Sequence, residues 1–335
     1  MDSAKLAAML DAIKKQGHDV DSVSVIRHGT LVTDAYVHPF KPDTKHVIHS
    51  CTKSVVSALV GIAIDEGYIE GVNQPVLDIF AKRTVANVDA NKKAMTLEHL
   101  LMMANGLECR DSYLHSWRGL RQMRASDDWV QFMLDRPMIE APGTRFEYCN
   151  GGSFLLSAIV QETTGQTALA FAQEHLFGPL GITDVDWPAN PQGITIGWGD
   201  LRLRPHDMLK FGYLYLHEGR WGDKQVVPAE WVRAATTRHI AAGTLSDGYG
   251  YQWWVDDAGY YMALGYAGQY IVVVPGKDMV VVFTSDLGER DFFVPETLLK
   301  TYILPAAREA SATPLPANPD GVALLESRVK ALANP

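Results

Sequence analysis

The sequence predicts an α/β (α+β) protein: an antiparallel sheet built from both termini, flanked by helices, with a mainly helical region inserted between the two ends. Three observations predict it. Strand-like runs occur between Ser22 and Val37 and return only after Gly248. From Val72 to about Arg233 the apolar spacing is mainly helical. Between the two lies an all-round apolar stretch, Val55 to Ile64, too long for a strand and therefore a buried helix. Length alone gives a prior of about two domains. A sheet shared by both ends makes the whole chain, 1–335, one domain, with an α/β part at about 1–72 and 235–335 and a helical part at about 73–234.

Each element follows from local pattern. Leu6 to Lys15 reads as a short amphipathic helix. Ser22 to His28 and Leu31 to Val37 flank Gly29-Thr30 and form a hairpin. The buried helix ends at Asp65-Glu66-Gly67, and the helical region is broken at Ala141-Pro142-Gly143 and Pro188 to Gly193. Tyr249 to Val255, Tyr260 to Leu264, Tyr270 to Val274 and Met279 to Thr284 are strands, the last two joined by a turn at Pro275-Gly276-Lys277-Asp278. Phe292 to Ala307 closes as a helix.

Composition excludes several classes. With 47% hydrophobic and 21% charged residues the chain is neither disordered nor a polytopic membrane protein. A formal charge of −9 argues against nucleic acid or an anionic membrane surface as partner. The longest apolar run falls well short of the ~18 residues of a membrane span. The start, Met1 to Lys5, has neither the basic nor the apolar region of a signal peptide. Cys51, Cys109 and Cys149 are three, far apart, and without a C-x-x-C pair. They make no disulfide framework or zinc site, and Cys51 and Cys149 read as small buried fillers. Together these features point to a reduced, cytoplasmic setting.

No H-E-x-x-H, Walker loop or G-x-S-x-G elbow occurs, and Gly197-Trp198-Gly199 reads as a turn. The positive signal is Ser50-Cys51-Thr52-Lys53 at the start of the buried helix. Three residues apart, both side chains share a helix face. A serine hydroxyl needs a partner to take its proton, and a partly desolvated lysine one turn away supplies one. The helix start adds backbone N–H groups for an oxyanion. The same residues also fit a helix-capping serine followed by a surface lysine. A second element is Tyr148-Cys149-Asn150, opening the apolar helix from Phe154 to Val160. A phenol beside an ammonium can serve as general base. Asn150 can orient Lys53 or a substrate carbonyl; a core tyrosine with a capping asparagine is the alternative. The third is Gly265-Tyr266-Ala267-Gly268-Gln269, read as lying on a strand. Gly268 allows close backbone approach, and the Gln269 N–H can pair with that of Ser50 as an oxyanion donor. A glycine bulge fits as well.

With the three elements in this order, the sequence resembles the serine β-lactamase and penicillin-binding-protein superfamily. It is most similar to the branch of class C β-lactamases, family VIII carboxylesterases and 6-aminohexanoate-dimer hydrolases. The resemblance runs from about Ser22 to Ala307 and includes Gly61 to Gly67, Met95 to Leu101, Pro142-Gly143 and Asp207 to Gly212. It implies a β-lactamase-like fold, no metal and no cofactor. It also implies Ser50 as nucleophile, Lys53 as its proton partner, Tyr148 as general base and Asn150 as the last residue of a Y-x-N motif. Tyr266 to Gly268 stand where the family carries K-T-G, H-x-G or W-x-G. Tyr266 offers a hydroxyl and a ring instead of a positive charge, which disfavours the carboxylate of a β-lactam.

The implied function is a serine hydrolase acting on a small ester or amide. The alternatives are a β-lactamase or a hydrolase of the D,D-peptidase or D-aminopeptidase type, and a non-catalytic peptide-binding relative. Among other candidates, His46 and His49 near Asp43 read as structural, because positions three apart on a strand face opposite ways. Arg110-Asp111 and Trp117-Arg118 fit either a cleft lining or a solvated loop. Of Trp253-Trp254 on a strand, at most one reaches a site.

Overall fold

The structure, a computed structural model, describes residues 1–111, 116–243, 245–307 and 318–334. Two compact units are built from interleaved segments: 1–51, 202–216 and 259–335 form the first, 52–201 and 217–258 the second.

In the first unit, strands lie side by side in the order Thr30–Tyr36, Val20–Arg27, Met279–Ser285, Gln269–Val274 and Tyr260–Gly265, all antiparallel. Met279–Ser285 and Gln269–Val274 are buried at every position, which is why they read as continuous apolar runs without alternation. Helix Pro205–Leu216 packs across them. Gly212 permits the approach: a Cβ there would lie 2.6 Å from Val280 Cγ1 and 2.9 Å from Ile271 Cγ2. This helix falls inside the stretch read as a helical insertion, yet it covers the sheet.

Helix Ser3–Gln16 is capped by Asp2, whose carboxylate accepts from the N–H groups of Ala4 and Lys5. Against it and the edge strand Thr30–Tyr36 lies a helix the sequence reading passed over, Pro319–Ala333. Its signals are an asparagine cap at Asn318 and a proline at its first position. The helix expected over Phe292 to Ala307 is helical from Val294 to Ala306 but contains a π-helical turn at Leu299–Ile303.

The second unit centres on helix Thr52–Asp65, buried from Thr52 to Ala63 and packed on Asn150–Thr164 and Ala229–Ala235. Two buried serines, Ser54 on this helix and Ser153 on Asn150–Thr164, find their partners on Gln252. Ser54 Oγ donates to the Gln252 carbonyl at 2.7 Å, and Ser153 Oγ bonds Gln252 Oε1 at 2.7 Å. Lys92 is also buried, with all three ammonium donors used on the carbonyls of Ala86, Leu134 and Arg136. Burial pushes its pKa below the ordinary lysine value. The strand expected over Tyr249 to Val255 is interrupted: Gly248–Tyr249 and Trp254–Asp256 pair as a short hairpin, and Gln252 turns left-handed at φ 63°. Trp253 and Trp254 are both buried. Among the described residues no helix is long and apolar enough to cross a membrane.

A Cβ on Gly61 would sit 2.3 Å from Cγ of the buried Trp231 indole, which cannot fold away. Helix propensity alone favours alanine by about 1 kcal/mol. Gly61→Ala is nonetheless expected to destabilise by about 1–3 kcal/mol, because overpacking wins. A lower urea midpoint at unchanged slope is the expected result.

Candidate active site

In the first unit the chain leaves the buried Ile48 and turns sharply at His49, where φ is 46°. A short 3-10 helix, His49–Cys51, follows and runs directly into helix Thr52–Asp65. Ser50 therefore sits two residues before the buried helix begins at Thr52. The 3-10 helix packs on strands Tyr260–Gly265 and Gln269–Val274. Gly265 makes this possible, since a Cβ there would lie 2.4 Å from the Ile48 carbonyl oxygen. Cys51 Sγ donates to the Gln269 carbonyl at 3.4 Å, so the segments bearing Ser50 and Gln269 are held side by side.

The third element differs from its expected place. Tyr266–Gly268 is not on a strand but forms the turn between two strands, with Gly265 opposite Gln269. Successive left-handed residues, Ala267 at φ 59° and Gly268 at φ 86°, reverse the chain. The turn is anchored by the Leu287 N–H, which donates to the Ala267 carbonyl at 3.0 Å. The Gln269 side-chain N–H₂ donates to the Ser285 carbonyl. Tyr266 is 45% exposed and meets the His49 ring edge-on at 5.6 Å. His46, on the short strand His46–Val47, bonds Asp21 at 3.2 Å.

In the second unit Lys53 is 1% exposed. Its ammonium donates to Asn150 Oδ1 and to the Trp198 carbonyl, each at 2.8 Å, and lies 4.9 Å from the centroid of the Tyr148 ring. The Y-x-N residues reach it because Asn150 begins helix Asn150–Thr164 and Tyr148 precedes its cap. The Tyr148 ring stacks on Trp254, centroids 5.9 Å apart at 16°. Trp254 in turn packs edge-on against Tyr249, whose phenol is pushed well above its ordinary pKa by burial and by the neighbouring Tyr148.

Lys53, Tyr148 and Asn150 are thus brought together in the second unit, and Ser50, Tyr266, Gly268 and Gln269 are gathered in the first. Sequence reasoning missed the Trp198 carbonyl. Its signal was Gly197: a Cβ there would lie 2.4 Å from the Ser153 carbonyl, so only glycine lets the 197–199 turn rest on the helix.

Cys149 corrects another expectation. It is bonded to Cys109 across 40 residues, with Cα atoms 5.6 Å apart. Chain spacing concealed the pair; nearby, Leu107 and Met138 form an antiparallel bridge. Cys51 is free and buried, as expected of a filler. Arg110 pairs with Glu108, and Asp111 is buried at 1% exposure.

The beta-lactamase family model matches residues 6–299. The chain belongs to the beta-lactamase family, a family of hydrolases. Among curated relatives of this family member is a 6-aminohexanoate-dimer hydrolase of Paenarthrobacter ureafaciens, 24% identical over 81% of this chain and 74% of that protein. Esterase EstB of Burkholderia gladioli is 26% identical over 68% of this chain and 64% of its own length. Among solved structures, a putative 6-aminohexanoate-dimer hydrolase from Bacillus anthracis superposes with TM-score 0.73 at 20% identity, covering 88% of this chain and 80% of that one. A family VIII carboxylesterase superposes with TM-score 0.70 at 14% identity, covering 90% and 97%. The β-lactamase-like fold expected from the sequence is the fold observed.

Closing a loop of 40 residues with the Cys109–Cys149 bond should stabilise the protein by about 4 kcal/mol in the chain-entropy account. Unfolded, unreduced protein is expected to show one reactive thiol, Cys51. Reduction should raise the count to three and lower the melting temperature. Three thiols before reduction would remove the bond from this account.

Proposed function

We propose that this family member is a serine hydrolase that cleaves small carboxylic esters or amides through an acyl-enzyme on Ser50. The observation that carries the reading is the buried Lys53 ammonium, one turn after Ser50, held against the Tyr148 ring and the Asn150 amide. An ammonium stabilises a neighbouring phenolate, and a phenolate is a competent general base. The curated relatives named as an esterase and as a dimer hydrolase support the substrate class.

In this scheme Ser50 Oγ attacks the carbonyl carbon and its proton passes to the Tyr148–Lys53 pair. The backbone N–H groups of Ser50 and Gln269 hold the oxyanion. The leaving alcohol or amine takes the proton back, and the acyl group remains on Ser50. Water, deprotonated by the same pair, attacks the acyl-enzyme and releases the acid. The steps use side chains, backbone and water, with a small-molecule ester or amide as partner.

A fluorophosphonate should label Ser50, and Ser50→Ala should abolish turnover. Lys53→Ala and Tyr148→Phe should each cost about 100-fold or more in kcat. The two losses should not add, because the residues act as one proton-transfer unit. Lys53→Ala with wild-type kcat in folded protein would exclude the scheme.

Substrate preference follows from the turn at Tyr266. A cation there would give a substrate carboxylate a charge-assisted hydrogen bond, roughly twice as strong as a neutral one. Tyr266 supplies none, so a p-nitrophenyl ester of a short neutral acid should show higher kcat/KM than a chromogenic cephalosporin. Tyr266→Lys should move the ratio toward the cephalosporin. A wild-type preference for the cephalosporin is the contrary result.

A further inference from the structure

Helix Asn150–Thr164 carries the Asn150 side chain that holds Lys53, yet it is poorly capped by its own residue. Its cap is Cys149, whose sulfur accepts from the Gly152 N–H at 3.3 Å and is committed to the bond with Cys109. Sulfur is a weak acceptor beside the oxygens of serine, threonine, asparagine or aspartate that usually cap helices. The missing oxygen comes from another segment. Asp111 Oδ2 accepts the Asn150 N–H at 2.9 Å, and its Oδ1 accepts the Leu120 N–H at 2.6 Å. The carboxylate is 1% exposed and both of its oxygens are used.

The contact is one of a set. Residues 109, 110 and 111 each bind the segment that bears Tyr148 and Asn150. Cys109 is bonded to Cys149, the Arg110 N–H donates to Glu147 at 3.3 Å, and Asp111 accepts from Asn150. Gly119 leaves the space, since a Cβ there would lie 2.8 Å from Asp111 Oδ1 and collide with the Cys109 carbonyl.

We propose that Asp111 is a positioning residue for hydrolysis: its buried carboxylate caps the Asn150 helix from outside and so fixes the Asn150 amide that orients Lys53. The proposal rests on the assignment of Ser50 and Lys53 above. A negative charge at a helix N-terminus is favourable, and here it also faces the Lys53 charge. Burial holds the Asp111 pKa above the ordinary carboxylate value, outweighing the two N–H bonds and the Lys53 charge that pull it down.

Asp111→Asn preserves shape but presents an N–H₂ to one of the two backbone donors. With a p-nitrophenyl ester, kcat is expected to fall about 10- to 100-fold, the cost of slight misplacement of a catalytic group. KM should stay within about threefold, because the residue acts through Lys53 and not on the bound ester. Asp111→Ser, which retains one short acceptor, should fall between Asp111→Asn and wild type in kcat. Ser50→Ala is measured beside them. Wild-type kcat in folded Asp111→Asn, with Ser50→Ala inactive, would overturn the positioning role alone. Activity in Ser50→Ala would overturn this inference together with the function it rests on. Loss of the cooperative unfolding transition in both Asp111 variants would also overturn it, because Asp111 would then be a stability residue.

Discussion

The second unit is organised by the requirement that a buried ammonium be surrounded by acceptors. Taking a lone charge out of water costs several kcal/mol even after relaxation, so Lys53 can be buried only where partners are already in place. Two of them, the Asn150 amide and the Trp198 carbonyl, come from segments nearly 50 residues apart. Each segment is in turn fixed by something else: Asn150 by the Asp111 carboxylate, and the Trp198 turn by the close seat that Gly197 takes on the helix. Removing any of these leaves a charge facing incomplete solvation.

The first unit meets a different requirement by different means. Around Ser50 it is unusual backbone conformation that shapes the chain. His49, Ala267 and Gly268 all adopt left-handed conformations there. A non-glycine residue in that region carries strain of order 1–3 kcal/mol and persists only where surroundings enforce it. The surroundings are visible: the Cys51–Gln269 hydrogen bond, the Leu287–Ala267 hydrogen bond and the close approach of Gly265 to Ile48.

What the sequence disclosed divides along the same line. Periodicity exposed the elements whose burial is uniform, such as Thr52–Asp65 and Met279–Ser285, because burial is written in residue type. Chemistry-bearing side chains at short spacing, Ser50 with Lys53 and Tyr148 with Asn150, were legible for the same reason. Backbone partners were not. The Trp198 carbonyl could belong to any residue type, and the Tyr266 turn resembled a strand because its neighbours on both sides are strands. The Cys109–Cys149 bond was hidden by chain distance, and the interrupted strand at Gln252 by a left-handed residue that is not glycine. Helix Pro319–Ala333 had a readable cap and was missed because its apolar face is thin, with Gly321, Leu325 and Leu332 as its buried residues.

The Tyr148 ring shows how the two kinds of constraint combine. Its position along the chain is set by the helix start that also carries Asn150, and its orientation by the stacked Trp254 indole. Stacked rings resist rotation about the side-chain bonds, since turning either ring gives up the apolar contact along its whole face. Tyr249 packs edge-on against the indole, and Phe146 meets both Tyr249 and Trp254. The Lys53 ammonium then meets a phenol whose ring cannot swing away from it. The proton transfer proposed for Tyr148 and Lys53 depends on such rigidity, because a misplacement of about 1 Å can cost two orders of magnitude in rate. The aromatic cluster therefore holds Tyr148 beside Lys53 by packing, as Asp111 holds Asn150 beside it by hydrogen bonding.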